Sequence, residues 1–204
     1  WYDLETFGRH PQWDRIAQFA AIRTDDSFHE VEEPIVAYCR LTPDYVPHPD
    51  ACLITGITPQ VVAERGLTER EFAAIIHEQM IRPATCTVGY NNLRFDDEFN
   101  RALFYRCLYD PYRREYAENN SRWDVLNLLR MAHDLRPEGI QWVTNDQGVP
   151  VFQLEELALT TGGFIPPTDG VCLTAPDGLS RPPVEFEGEQ VCPLVYDVAA
   201  DGGG

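Results

Sequence analysis

The chain has 204 residues, 44% of them hydrophobic, with 33 acidic residues against 16 basic ones and a net charge of −17. That length and apolar content support one domain with an appendage better than two full domains. No apolar run approaches membrane-spanning length and no signal peptide is visible, so no membrane partner is expected, and the acidity argues against a polyanionic partner unless basic residues gather locally.

Trp1–Glu5, Ile16–Arg23 and Ile35–Leu41 have strand character and are separated by turn-forming Asp, Ser and Pro, which predicts an antiparallel meander. Residues 43–59 are Pro-rich and read as irregular, up to Thr58, which caps a helix that Pro59 opens. Glu69–Met80 predicts an amphipathic helix with Phe72, Ile75, Ile76 and Met80 inward. Cys86–Tyr90 reads as a buried strand and Asp96 onward as a helix. Aromatic residues then interleave with Arg from Tyr105 to Tyr116. Trp123–Leu135 reads as a helix with Val125, Leu128, Leu129 and Ala132 on one face, ended by Pro137. A short helix is predicted over Gln153–Thr161, closed by Gly162 and Gly163. This order is that of an α/β fold: a mixed β-sheet, a three-stranded meander plus further strands, flanked by α-helices.

Residues 164–204 hold six of the 16 prolines, seven acidic residues against the single Arg181, and a terminal run of Gly202, Gly203 and Gly204. With no helical period, they read as an irregular acidic tail after a domain spanning 1–163. The six cysteines contain no C-x-x-C pair, which predicts reduced, mostly buried thiols and a cytoplasmic setting. The chain begins at Trp1 rather than Met, so a trimmed start is expected.

Every one of the 16 basic residues is Arg, and eight of them lie between residues 94 and 136, matched there by eight acidic residues. That window is neutral while the rest of the chain carries the whole deficit, which permits a local phosphate-binding face. Asp3 and Glu5 are one residue apart on a strand and therefore share a face. Unpaired carboxylates at the end of a buried strand are costly unless a cation or hydrogen bonds compensate them. Asp96 stands at a strand-to-helix junction from which it can face Asp3. The same acids also fit a solvated strand end and an acidic first helical turn stabilised by the macrodipole.

The pattern Asp3-x-Glu5-Thr6 with Asn92-x-x-Phe95-Asp96 resembles DEDD-type 3'-to-5' exonucleases of the ribonuclease-H-like superfamily. The strings Leu53 to Gln60, Gly89 to Glu98, Tyr109 to Tyr112, Asn120 to Asp124 and Leu135 to Ile140 are similar to bacterial exodeoxyribonuclease I, over about residues 1–163. The resemblance implies Asp3, Glu5 and Asp96 as catalytic carboxylates, with Asp3 and Glu5 as metal ligands for two Mg2+ (or Mn2+) ions. It implies degradation of single-stranded DNA from the 3' end to nucleoside monophosphates, with single-strand-binding protein as a further partner. Arg101, Tyr112, Tyr116 and Arg130 fall where the family contacts the DNA strand. Aromatic faces that stack on bases and Arg that tracks phosphates suit that role; half-buried structural tyrosines are the other reading of Tyr112 and Tyr116.

The family's His-x4-Asp helix has no counterpart at its ungapped positions, which are Asp169 and Thr174, and its substrate-contacting Arg on the preceding helix is replaced by Gln153. No histidine lies beyond His133. Tyr196 and Asp201 reproduce the spacing with Tyr for His, only three residues before the chain ends. The expectation is a catalytic domain truncated and altered at its C-terminus and of reduced activity, with a catalytically dead single-strand-binding module as the alternative.

Overall fold

The computed structural model describes residues 1–135 and 142–152, together with two strands at 184–186 and 189–191. It divides into two compact units, the first covering Trp1–Val125 and the second beginning at Leu126. The expected helix at Gln153–Thr161 and the expected boundary at residue 163 lie outside the described residues.

The first unit opens with the predicted meander: β1 (Tyr2–Thr6), β2 (Ile16–Ala21) and β3 (Ile35–Tyr38) form an antiparallel sheet in that order. Leu4 pairs with Phe19 and Glu5 with Gln18, and the register slips between Glu5 and Thr6. Alternation along β1 buries Tyr2, Leu4 and Thr6 and leaves Asp3 and Glu5 half-buried on the other face. The Pro-rich segment contains a helix that its irregular composition conceals. In α1 (Pro49–Thr55), His48 caps the helix by accepting from the Asp50 N–H, Pro49 opens it, and Gly56 closes it in the left-handed region at φ 68°. In α2 (Pro59–Arg65), Thr58 accepts from the Val61 N–H as its residue type predicts.

Helix α3 (Glu69–Ile81) begins with a capping box between Thr68 and Glu71 and buries Phe72, Ala73, Ile76 and Met80. β4 (Cys86–Gly89) leads to α4 (Asp96–Arg106). A short helix α5 (Arg113–Tyr116) and a 3-10 turn (Ala117–Asn119) precede β5 (Ser121–Asp124), which pairs in parallel with β4. Trp123 and Asp124 are therefore strand residues opposite Val88 and Gly89, and the helix read from Trp123 starts two residues later. A tight turn into helix and a short parallel strand share the same apolar pattern, which periodicity does not separate. Gly89 is needed where β4 meets β1: a Cβ there would lie 3.0 Å from the Tyr2 carbonyl oxygen and 2.8 Å from the Asn92 Cβ. The core joins Tyr2, Leu4 and Phe19 of the meander to Phe72 and Ile76 of α3 and Phe99, Leu103 and Phe104 of α4. Each such large apolar side chain contributes about 1.5 to 3 kcal/mol on burial, and together they hold α4 against β1.

The second unit begins with α6 (Leu126 onward of the helix Val125–Leu135), and its described side chains include an aromatic cluster of His133, Trp142 and Phe152. A hairpin of β6 (Val184–Phe186) and β7 (Glu189–Val191) lies in the stretch expected to be irregular. Among the described residues no helix is long and apolar enough to cross a membrane.

Candidate active site

The first turn of α4 lies against β1. Asp96, 3% exposed, accepts the Leu4 N–H at 3.1 Å through Oδ1, so it meets the strand between the positions of Asp3 and Glu5. Burial pushes the Asp96 carboxyl well above the usual carboxylate range, and the Asp3 charge beside it pushes the same way. Hydrogen bonds from its own N–H and from Leu4 act in the opposite direction without winning. Two carboxylates thus compete for one partly dry space.

The loop that delivers Asp96 is built for that approach. Asn91 takes a positive φ of 58° and donates its N–H to the buried Asp124 at 2.9 Å, which fixes the turn from β4 towards α4. Asp97, one residue beyond Asp96, is fully buried and turns to other partners. Tyr2 Oη donates to Asp97 Oδ1 at 2.6 Å, Arg122 Nη1 donates to Oδ2 at 2.6 Å, and Arg114 Nη2 also donates to Oδ1. Burial alone would raise the Asp97 carboxyl. The Arg114 charge and these three donors outweigh it and hold the group below the ordinary range. Burial and the Asp97 charge raise the Tyr2 phenol, which keeps it protonated as a donor.

The structure brings Asp3 and Asp96 together and leaves Glu5 on the same strand face as Asp3. Among the described residues no group of three or more His, Cys, Asp or Glu side chains that could hold a metal ion is present. The donor set nevertheless fits a hard cation such as Mg2+, which binds through one or two carboxylates, keeps several waters and takes phosphate oxygens as further ligands.

The Arg- and Tyr-rich segment has two faces. Tyr112 and Tyr116 are 54% and 68% exposed. Arg101 is engaged by Glu115, with Nε and Nη2 donating at 2.8 and 2.9 Å, by Glu98, and by the face of Tyr112 at 5.2 Å. Glu115 also takes Arg122 at 3.1 Å. Arg130 belongs to the second unit, where its guanidinium lies 6.0 Å from the Phe152 ring. Sequence reasoning missed Tyr2, Asp97, Arg114, Glu115 and Asp124. Asp97 carries the only local signal, as the second acid of the Asp96–Asp97–Glu98 run.

The family model RNase_T, described as Exonuclease, matches residues 1–158. The chain belongs to this exonuclease family. Exodeoxyribonuclease I of Escherichia coli is 54% identical over 161 residues, 79% of this chain and 34% of that protein. The E. coli exonuclease I complex with a 5cy-dA13 oligonucleotide has a TM-score of 0.76 at 54% identity and covers 79% of this chain and 35% of that one. An ExoI/SSB-Ct complex gives 0.77 with the same identity and coverage. A zinc ion bound form of the E. coli ExoI-ssDNA complex gives 0.74 at 53% identity, with 78% and 34% covered. The chain therefore spans about a third of the length of the relatives it matches.

Proposed function

We propose that this chain carries the metal-ion half of a 3'-to-5' exonuclease that acts on single-stranded DNA and releases nucleoside monophosphates. The observation that carries the reading is the buried Asp96 carboxyl held against β1 beside Asp3, within a chain 54% identical to an exodeoxyribonuclease I. Asp3, Asp96 and Glu5 would hold the divalent ions, which supply charge neutralisation at the scissile phosphate and a nucleophile at neutral pH. The chain's own part is placement: β1 presents Asp3 and Glu5 on one face, α4 delivers Asp96 to it, and exposed Tyr112 and Tyr116 offer stacking surfaces to bases. The partner suggested by the ExoI/SSB-Ct complex is a single-strand-binding protein.

A second reading, strand binding without cleavage, is favoured by Asp169 and Thr174 standing at the ungapped positions of the family's His-x4-Asp pair. A missing general base lowers turnover by a factor of roughly 10² to 10⁴. Digestion of 3'-labelled single-stranded DNA with Mg2+ separates the two. Slow release of labelled mononucleotide that Asp96→Asn abolishes supports the nuclease reading, and binding with no release supports the other. Turnover equal to that of a complete family member, lost on Tyr196→Phe or Asp201→Asn, would mean that the C-terminal segment supplies the missing motif.

A further inference from the structure

Two neighbouring residues of α4 grip β1 on either side of Asp3. Asp96 accepts from the Leu4 backbone on one side, and Asp97 accepts from the Tyr2 hydroxyl on the other. We infer that Asp97 is a positioning residue: with Tyr2, Arg114 and Arg122 it forms a buried brace that fixes the spacing between the Asp3 and Asp96 carboxylates. The inference rests on the proposed metal-ion site and concerns how that site is held, not what binds there.

The geometry gives the brace its direction. Asp97 is fully buried and Arg114 is 2% exposed, so their ion pair is formed away from solvent and does not exchange for water at little cost. Arg114 comes from α5 and Arg122 from β5, so the Asp97 carboxylate joins three separate elements to the first turn of α4. Side-chain fluctuation at Asp97 is thereby suppressed, and its backbone, one peptide from Asp96, is suppressed with it. The Tyr2 hydroxyl adds a second polar attachment between β1 and α4 to the Leu4 bond and the apolar core they share. Two directional bonds on either side of Asp3 fix the register of β1 along α4 more tightly than apolar packing, which has no direction.

A cation held by two or three carboxylates senses such placement. Outer groups that orient metal ligands are typically worth 10- to 100-fold in affinity. Tyr2→Phe removes one hydroxyl from a ring that stays packed beside Phe19, whose ring centre is 6.4 Å away, so the substitution leaves the core intact. Asp97→Asn is harsher because it takes the charged partner from the buried Arg114 and leaves Arg114 and Arg122 to share Glu115, and it serves as a second variant only. Ile76→Val, in the core of α3, is the control for a general loss of stability.

The test is calorimetric titration of the 204-residue chain with Mn2+ alone, alongside melting curves. The expected result is that Tyr2→Phe binds Mn2+ about tenfold more weakly while Ile76→Val melts earlier and binds as wild type does. A weakening by Tyr2→Phe of less than about threefold, with wild type and Asp3→Asn still clearly different, overturns the brace and leaves the site intact. Identical isotherms for wild type and Asp3→Asn overturn the metal-ion site itself, and the brace with it.

Discussion

Asp96 is costly to the fold in its charged form. Its carboxyl is raised by burial first and by Asp3 second, so over the interval above the unfolded value of about 3.9 the folded chain binds more protons than the unfolded one. Stability then declines as pH rises from that value through the folded pKa, and the full cost is present above it. Asp96→Asn keeps the oxygen that accepts from Leu4 and removes the charge. Without divalent ions the variant should melt a few degrees above wild type at pH 8 and match it near pH 3, about 1 kcal/mol being worth roughly 2 to 4 °C at this size. Mn2+ should reverse the order at pH 8, since ligand binding stabilises only the chain that binds it. Melting curves at the two pH values, with and without Mn2+, check this; a variant that melts below wild type at pH 8 without metal contradicts it.

At the scale of elements, α3 carries the clearest pH response outside the site. His77 stacks on Tyr109 at 4.3 Å and meets the edge of Phe104 at 5.6 Å; burial and the Arg113 charge lower its pKa. A depressed histidine favours its neutral form in the fold, so its contribution is complete above the unfolded value of about 6.5 and is lost as pH falls through the window below it. Wild type should therefore lose more of its melting temperature between pH 7.5 and pH 5.5 than His77→Gln does, and equal losses would remove His77 from the account. The same elements mark what the chain's residues disclose on their own. Alternation discloses β1, of which one face is buried, apolar and β-branched runs bounded by turn residues disclose β2 and β3, and Thr68 with Glu71 announces the start of α3. Helix α1 is hidden because Pro49 and its polar flank resemble a loop until His48 and Gly56 are seen as its caps. Asp3, Glu5 and Asp96 stand out because spacing and chemistry coincide. The Asp97 brace does not, since its partners lie 95, 17 and 25 residues away and no local pattern links them.

For the molecule as a whole, charge limits how nucleic acid is held. A net charge of −17 opposes a polyanionic partner, so affinity for a single strand should be low and should fall steeply with added salt. Tyr116, 68% exposed, should cost roughly 1 to 3 kcal/mol of binding when changed to Ala, the usual worth of one stacked base. Arg130→Ala should instead flatten the salt dependence by removing one phosphate contact. Fluorescence anisotropy on a labelled oligonucleotide across a salt series measures both; an unaffected, folded Tyr116→Ala would remove the stacking role of Tyr116, and an unchanged salt slope for Arg130→Ala would remove the phosphate contact of Arg130.

The bond between Leu4 and Asp96 joins residues 92 positions apart, and that between Tyr2 and Asp97 spans 95. Contacts so distant in the chain close late, because the intervening loop must first be ordered. During synthesis the N-terminal strand that bears Asp3 and Glu5 therefore waits, with its partner carboxylate still unmade, until α4 has left the ribosome. A nascent or prematurely terminated chain lacking α4 is unable to assemble the pair, so the Asp3 and Asp96 carboxylates meet only once the chain has been made past α4.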